Sequence, residues 1–314
     1  MTSLSKELAI KIKKIEALVG NTPIVKLERI IPEDIRRKGV ELFVKLEYLN
    51  PTGSHKDRIA VYMIKKLIEQ GVIKEDSIIV EASSGNTAIS VAWVASILGI
   101  KTVIVVDEES SREKLSILKA LGAKVVKAPG DRVIEVAKSI ARKLNAIFLY
   151  QYGNKLNHEA HYRTTGPEIF SQLKGKIDYF VMGMGTCGTI TGVGRYLKEV
   201  MNGEVKVVGV VPKGAVMAGG SGGDRIEGLI SSFTPELCRE LSPLYVDEII
   251  EVSFNDALTY MLKLAREEGV LGGLSTGANV YASLIVAKRA KPGSRIVTLA
   301  ADSIFRYTGL LQES

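Results

Sequence analysis

The positions of apolar residues predict strands and helices in alternation along almost the whole chain. Short runs rich in Val and Ile predict strands at residues 41–47, 77–82, 101–106, 124–128, 146–151, 179–183, 205–211, 248–253 and 295–300. Apolar positions three and four apart predict helices at residues 87–98, 112–121, 132–144, 190–200, 257–268 and 277–288. This alternation is typical of an α/β fold with largely parallel sheets. Because the strands are continuously apolar, we expect helices on both faces of each sheet.

Length and composition are those of an ordinary globular protein with about two domains. The chain has 314 residues, of which 46% are hydrophobic and 25% charged, and a domain averages roughly 150 residues. The formal net charge is +7, but Lys and Arg are spread among Asp and Glu, without a basic stripe interleaved with aromatic residues. Nucleic acid is therefore not an expected partner, whereas the positive excess favours anionic small molecules.

The few cysteines and histidines predict neither a disulfide framework nor a metal site. The chain has two cysteines, Cys187 and Cys238, and its three histidines, His55, His158 and His161, form no ligand pattern with acidic residues. Residues 1–20 have an amphipathic helical pattern without the apolar core of a signal peptide. No apolar run reaches the roughly 18 residues of a membrane span. We therefore expect a cytoplasmic protein with reduced cysteines, no metal and no membrane partner.

Lys56 lies where a predicted strand gives way to a predicted helix. The stretch "NPTGSHKDR" follows strand 41–47 and precedes a helical pattern with Ile59, Met63 and Leu67 on one face. In parallel α/β folds, functional sites gather at the carboxyl ends of strands. By itself the stretch is compatible either with a solvated lysine or with a nucleophilic amine held in a site.

The loop "GMGTCG", residues 183–188, matches the pattern G-x-G-x-x-G between a strand and a helix. A dinucleotide site also needs an acidic residue at the end of the next strand to bind ribose, but that strand ends in Pro212 and Lys213. The loop does offer what one phosphate requires, namely backbone N–H groups, hydroxyls and a helix N-terminus. The candidate phosphate ligands are Gly185, Thr186, Cys187, Gly188 and Thr189. A tight turn with glycines for packing is the structural alternative.

Cys187 is expected to be a small packing residue within this loop. A nucleophilic cysteine needs a base beside it, and no histidine lies near residue 187 in the sequence.

A second polar loop, "EASSGNTAIS", surrounds Gly85 with hydrogen-bond donors between a strand and a helix. One side chain would be enough to cap the helix, whereas Ser83, Ser84, Asn86 and Thr87 are all present. This density of donors suits a carboxylate laid on the helix N-terminus. The residues of this loop alone leave both interpretations open.

Together, a strand-end lysine, a carboxylate loop and a phosphate loop indicate pyridoxal phosphate and an amino-acid substrate. The aldehyde of this cofactor forms a Schiff base with a lysine, and its phosphate needs a donor-rich loop. The sequence resembles the cysteine synthase and cystathionine β-synthase family, in the tryptophan-synthase-β-like (fold type II) class. The resemblance covers nearly the whole chain, through "GNTPIVKL", "NPTGSHKDRIA", "SSGNT", "HYRTTGPEI", "GMGTCGTITGVGRYLKE", "GGDRIEGLI", "EEGVLGGLSTGA" and "DSIFRY".

That resemblance implies a role for each candidate residue. Lys56 would form the Schiff base, Asn86 would bind the cofactor's ring hydroxyl, and residues 185–189 would bind its phosphate. Ser303, rather than the adjacent Asp302, would face the pyridine nitrogen, and this neutral partner suits β-elimination better than transamination. The substrate carboxylate would be bound by Ser83, Ser84, Thr87 and Gln151.

The resemblance also implies an architecture and a reaction. A smaller N-terminal domain of residues 1–20 and 45–160 and a C-terminal domain of residues 21–44 and 161–314 would hold the cofactor in the cleft between them. The expected reaction is that of a transferase making L-cysteine from an O-activated serine and sulfide through an aminoacrylate. Lys56 would remove and return the α-proton. The family also implies a homodimer.

Several residues depart from the cysteine-synthase pattern and leave the substrate open. At five positions the chain has a residue that is not the usual one in cysteine synthases: His55, Ala82, Ala88, Arg163 and Cys187. Arg225, in "GGDRIEGLI", would lie near the leaving group and favours O-phosphoserine over O-acetylserine, with surface solvation as its alternative. Condensation of serine or an activated serine with homocysteine, a serine or threonine dehydratase and a threonine synthase are the alternatives within the class. A nicotinamide-dependent oxidoreductase is the alternative outside it.

Overall fold

The computed structural model describes residues 3–311, with side chains from residue 7 onward. The strands within that range are β1 Ile24–Leu27, β2 Glu41–Lys45, β3 Ile78–Ala82, β4 Lys101–Asp107, β5 Lys124–Ala128, β6 Ile147–Phe148, β7 Tyr179–Gly183, β8 Lys206–Pro212, β9 Glu248–Val252 and β10 Arg295–Leu299. The helices are α1 Ser3–Glu16, α2 Glu33–Arg37, α3 Lys56–Glu69, α4 Asn86–Leu98, α5 Arg112–Ala120, α6 Val133–Lys143, α7 Lys155–Arg163, α8 Thr165–Gln172, α9 Gly188–Val200, α10 Glu236–Tyr245, α11 Phe254–Lys263, α12 Leu274–Arg289 and α13 Thr308–Leu311.

The chain divides into two compact units. Unit 1 comprises the chain up to Gly20, Asn50–Thr52 and Lys56–Asn157; unit 2 comprises Asn21–Leu49, Gly53–His55 and the chain from His158 onward. We expected residues 45–49 in the N-terminal domain, but this division assigns them to unit 2. The reason is that β2 pairs within the sheet of unit 2.

Unit 1 is built on a four-stranded sheet in the order β5-β4-β3-β6, and all three strand pairs are parallel. The inner residues of β3 and β4 pack against the apolar stripe of α6, which contributes Val133, Ala137 and Ala141. Helix α4 also packs on β3 and β4, and α1 packs on α3 and α4. Burial on both sides explains why these strands are continuous apolar runs in the sequence.

Unit 2 is built on a six-stranded sheet in the order β1-β2-β10-β7-β8-β9. Its pairs are parallel except for β1 with β2. Alternate residues of the central strands enter two different cores: Val181, Val208 and Ile296 pack with α11 and α12. Phe180 and Val297 pack with α8, α9 and α10 on the other face.

The predicted fold class, an α/β fold with mostly parallel sheets flanked by helices, is confirmed. Strand β1 was not predicted, since "PIVKL" is short and opens with a proline; the structure places it at the sheet edge, where proline is tolerated. Helices α2, α7, α8, α10 and α13 were also not predicted. None of the helices in the described part of the chain has the length and apolar content needed to cross a membrane.

Candidate active site

Lys56 is the first residue of α3 and is half-buried. Asp57, the buried residue that follows Lys56, links the helix to the loop that precedes Lys56. Its carboxylate accepts hydrogen bonds from the N–H and the hydroxyl of Thr52, at 2.7 and 2.6 Å, and from the Ser90 hydroxyl of α4 at 2.6 Å. These charge-assisted bonds restrict the position of the Lys56 backbone.

The polar side chains of the turn from β3 to α4 do not cap the helix. The N-cap position is Gly85, which offers no side chain. The Ser83 hydroxyl oxygen accepts the Gly85 N–H at 3.2 Å, and that of Ser84 accepts the Asp107 N–H at 2.6 Å. Both hydroxyl hydrogens are thus still able to donate to an anion.

Thr87 and Gln151 are distant in sequence but meet in unit 1. The Thr87 hydroxyl donates to the Gln151 Oε1 at 2.6 Å, and the Gln151 Nε2 donates to the carbonyl of Ala82 at 3.3 Å. The Gln151 carbonyl is in turn bonded by Asn157 at 2.8 Å. The predicted carboxylate residues Ser83, Ser84, Thr87 and Gln151, together with Asn86, therefore surround one strand-to-helix turn.

Glu81, one residue before this turn, was not predicted as part of the site. It is fully buried in β3. Burial raises the pKa of its carboxyl to about 8, and the peptide groups of Ala82, Gln151 and Tyr150 offset this only in part. Glu81 is therefore a neutral acid at pH 7. The available signal was a lone acidic residue inside an otherwise apolar strand.

The glycine loop of unit 2 leads from β7 into α9. Gly185 lies so close to the loop 213–230 that a Cβ would be 2.7 Å from the Gly228 carbonyl oxygen. The buried Thr186 and Thr189 add hydroxyl donors. Cys187 occupies the N-cap without a side-chain cap, and a first helical turn leaves N–H groups without intrahelical acceptors. N–H and O–H donors with no acidic residue in the loop fit a phosphate group.

The expectation of reduced cysteines is wrong. Cys187 and Cys238 form a disulfide between the glycine loop and α10. Sequence reasoning missed it because the two residues are 51 positions apart and nothing in their local patterns points to the pairing. The expectation that Cys187 is a packing residue rather than a nucleophile agrees with its burial and its bond.

Behind the glycine loop, histidines form a buried polar layer within unit 2. The His161 Nε2 lies 3.1 Å from the Thr189 hydroxyl, and its Nδ1 lies 2.9 Å from the Thr165 hydroxyl. The His158 Nδ1 lies 2.9 Å from the Thr191 hydroxyl, and burial lowers the pKa of His158 to about 4. The ring of His55 is 5.8 Å from that of His161. These contacts place His161, which was not predicted as a site residue, directly against Thr189 of the glycine loop.

Ser303 lies beyond the end of β10 rather than within a strand, as does Asp302. Each forms an isolated bridge, Ser54 with Asp302 and Gly272 with Ser303, so strand alternation does not decide which of the two faces a ligand. Asp302 is buried and accepts the Tyr307 hydroxyl at 3.0 Å. The half-buried Ser303 accepts the Phe305 N–H at 3.3 Å and can still donate its hydroxyl hydrogen.

The two candidate arginines differ in their surroundings. Arg225 is exposed on the loop 213–230, which is tied to the glycine loop by a hydrogen bond from the Ile230 N–H to the Met184 carbonyl at 3.2 Å. The Asp224 carboxylate anchors the same loop by accepting the Phe254 N–H at 2.6 Å. Arg163 lies on the surface of α7, paired with Glu159 at 3.7 Å.

The residues present fit the chemistry of pyridoxal phosphate. Unit 1 carries the amine, Lys56, and the donor-rich turn with Asn86; unit 2 carries the phosphate-type loop and Ser303. In the part of the chain that the structure describes, no group of three or more His, Cys, Asp or Glu residues is arranged to hold a metal ion.

Comparison with known proteins identifies similar enzymes over nearly the full length. Residues 15–302 match the family described as pyridoxal-phosphate dependent enzyme. A cysteine synthase from Staphylococcus aureus is 38% identical over 303 residues, which cover 94% of this chain and 95% of that protein. A cystathionine beta-synthase from Apis mellifera is 39% identical over 303 residues, covering 92% of this chain and 59% of that protein. The crystal structure of an O-acetylserine dependent cystathionine beta-synthase from Helicobacter pylori superposes with a TM-score of 0.87 at 34% identity, covering 94% and 96% of the two chains.

Proposed function

Because the chain belongs to the family of pyridoxal-phosphate dependent enzymes, we propose that it makes L-cysteine by β-replacement. The substrates would be sulfide and an O-activated serine, either O-acetylserine or O-phosphoserine. The observation that carries this proposal is the similarity to a cysteine synthase over 94% of the chain and 95% of that protein. The same near-complete coverage removes the support for a nicotinamide-dependent oxidoreductase.

Lys56 is the proposed attachment point and proton carrier. When bound, pyridoxal phosphate supplies an aldehyde for the amine and a ring that accepts electron density from the substrate's α-carbon. The Lys56 Nζ would be the base that removes the α-proton and later returns it.

The other residues would orient the reactants. Asn86 would bind the ring hydroxyl, and the glycine loop, residues 185–189, would bind the phosphate. Ser303 would donate a hydrogen bond to the pyridine nitrogen; as a neutral group it leaves that nitrogen without a carboxylate partner. The hydroxyls of the β3–α4 turn would bind the substrate carboxylate beside Gln151, which fixes the α-carbon relative to Lys56.

Replacement of Lys56 tests this proposal. In Lys56→Ala we expect the visible absorbance of the bound cofactor to be lost and cysteine formation to fall by roughly 10²–10⁴-fold or more, since positioned proton transfer contributes that much. Absorbance spectra and initial rates with sulfide measure both effects. The control is Lys66→Ala on the same helix, which should keep colour and rate. A colourless wild-type protein that takes up no pyridoxal phosphate would contradict the proposal.

Arg225 would select the leaving group. A guanidinium binds a phosphate dianion better than a neutral acetyl ester. Arg225→Ala should therefore lower kcat/KM for O-phosphoserine by roughly 10- to 100-fold, the value of one charged hydrogen bond. The rate with O-acetylserine should stay unchanged. The control is Arg163→Ala, which removes another exposed arginine. If Arg225→Ala affects both substrates equally, Arg225 does not select the leaving group.

A second candidate function is condensation of serine or O-acetylserine with homocysteine. It is favoured by the similarity to the cystathionine beta-synthases from Apis mellifera and Helicobacter pylori. A substrate panel decides between the two: O-acetylserine, O-phosphoserine and serine, each with sulfide or homocysteine, with the products measured by chromatography. The highest kcat/KM with sulfide supports cysteine synthesis, whereas the highest value with homocysteine supports the alternative.

We also propose that the enzyme works in the cytoplasm, and that it is a homodimer, as its family resemblance implies. Sedimentation velocity of the holoenzyme should give twice the mass of the chain. A single species with the mass of one chain would exclude the dimer.

A further inference from the structure

Cys187 has a backbone conformation that favours glycine. It lies in the left-handed region, with a φ of 65°, where a side chain crowds its own carbonyl and a non-glycine residue is disfavoured by about 1–2 kcal/mol. This conformation turns the chain from β7 into the first turn of α9. The Cys187 carbonyl accepts the N–H and the hydroxyl of Thr191, at 3.1 and 2.6 Å. The direction of the N–H groups in the glycine loop therefore depends on this residue keeping a positive φ.

The disulfide supplies a restraint that a free cysteine would lack. The Cys187 side chain is bonded to Cys238 of α10, which packs against α9. Both side chains are 2% exposed. The Cys238 Sγ also lies 3.4 Å from the carbonyl oxygen of Gly185, at the other end of the turn. The sulfur bridge thus contacts the glycine loop on both sides of Thr186.

We propose that Cys238 is a positioning residue for phosphate binding: through the disulfide it holds Cys187 in the left-handed conformation that the glycine loop needs. The inference rests on the proposed assignment of residues 185–189 to the cofactor's phosphate. Cys238 touches no reactant; it acts by keeping the N–H groups of the loop directed toward the phosphate. A glycine at position 187 would adopt the same conformation without any bridge.

The test compares two ligands that differ only in the phosphate. Full-length apoprotein is titrated with pyridoxal phosphate and with pyridoxal, and the dissociation constants are measured from absorbance. Cys238→Ser should bind pyridoxal phosphate roughly 10-fold more weakly, the equilibrium equivalent of releasing one left-handed residue. Its affinity for pyridoxal should change less than about twofold, because the bridge acts only at the phosphate.

Glycine at position 187 gives the rescue. Cys187→Gly/Cys238→Ser lacks the bridge as well but should bind pyridoxal phosphate within about twofold of the wild type. Its matched control is Cys187→Ala/Cys238→Ser, which differs only in the residue that must adopt a positive φ and should bind roughly 10-fold more weakly. If Cys238→Ser does not fold, Cys187→Gly/Cys238→Ser still tests whether a glycine at position 187 makes the bridge unnecessary. Thiol titration of denatured wild type should find no free thiol before reduction and two after it.

Four results would overturn the inference. They are free thiols in the unreduced protein, wild-type affinity for pyridoxal phosphate in Cys238→Ser, equal weakening of both ligands, or equal affinity of the glycine and alanine double variants. If the wild type itself binds pyridoxal phosphate no better than pyridoxal, the assignment of the glycine loop to the phosphate fails, and the inference fails with it. If the wild type prefers pyridoxal phosphate to pyridoxal but Cys238→Ser has the same affinity as the wild type, only the positioning role of Cys238 is rejected. The assignment of the glycine loop to the phosphate then stands.

Discussion

At the scale of single residues, Glu81 shows how burial changes the chemistry of an acid. Its carboxyl is completely removed from water in β3, one residue before the β3–α4 turn. The peptide groups of Ala82, Gln151 and Tyr150 lower the pKa less than burial raises it, and the resulting value is about 8. The folded protein therefore holds a proton on Glu81 under conditions in which the unfolded chain releases it.

This difference predicts a pH-dependent stability. Well below pH 4.5 the carboxyl is protonated in both states, so it does not change the free energy of unfolding. Between pH 4.5 and about 8 only the unfolded chain is ionised, so the free energy of unfolding falls as pH rises, in total by on the order of a few kcal/mol. Glu81→Gln keeps the neutral shape and should lose this dependence.

Urea denaturation at pH 5, 6.5 and 8 measures the effect as the difference between Glu81→Gln and the wild type. We expect the variant to gain stability relative to the wild type with each step in pH. Glu109→Gln, at an exposed position, is the control and should show no such trend. A constant difference across the three pH values would mean that the Glu81 carboxyl is ionised in the folded protein.

At the scale of elements, the first turn of α3 is joined to its preceding loop by Asp57. One carboxylate accepts two bonds from Thr52 and one from Ser90 of α4. The chain passes into unit 1 at Asn50–Thr52 and again at Lys56, so these bonds hold the two segments together. The negative charge also lies near the N-terminus of α3, where the helix dipole favours it.

Asp57→Asn should therefore destabilise the protein by about 1.5–3 kcal/mol, since an amide oxygen cannot accept all three bonds and its N–H₂ group faces donors. The reactive lysine is adjacent, so we also expect a lower kcat with KM changed less than kcat. Urea denaturation and steady-state rates measure the two effects. Asp76→Asn, in an exposed loop, is the matched control. Wild-type stability in Asp57→Asn would show that these bonds contribute no net stability.

At the scale of the whole molecule, the disulfide joins segments 51 residues apart within unit 2. Disulfides are rare in the cytoplasm of most organisms, but proteins of hyperthermophiles are an exception. The bridge restricts the unfolded chain in proportion to the logarithm of the loop length. For this loop the chain-entropy model gives about 4 kcal/mol.

We expect Cys187→Gly/Cys238→Ser to lose about that much free energy of unfolding, measured by urea denaturation. The comparison is repeated in the presence of a phosphine reductant. The wild type then also lacks the disulfide, so most of the difference in the free energy of unfolding should disappear. Equal stability of the two proteins without reductant would mean that the disulfide does not contribute to the folded state in solution.

Local patterns were sufficient for most of the architecture. The α/β class, nine of the strands in the described residues and eight helices (α1, α3, α4, α5, α6, α9, α11 and α12) follow from hydrophobic periodicity. A residue's preference for the apolar side of a strand or helix is set by its neighbours in sequence. The same holds for the strand-end loops with Lys56 and the hydroxyl turn, and for the order of motifs that indicated the family. Strand β1 was missed because a four-residue run after a proline carries too little periodicity.

Only the tertiary structure decided which distant residues meet. Thr87 with Gln151, Thr189 with His161, and Cys187 with Cys238 are each separated by 28 or more residues, and a contact of that kind depends on how sheets and helices pack rather than on local preference. The burial that makes Glu81 a neutral acid is likewise a property of the packed sheet. The sequence by itself determined the chemical groups and the elements that carry them. The folded chain determined their partners and their charge, because both depend on neighbours brought together by packing.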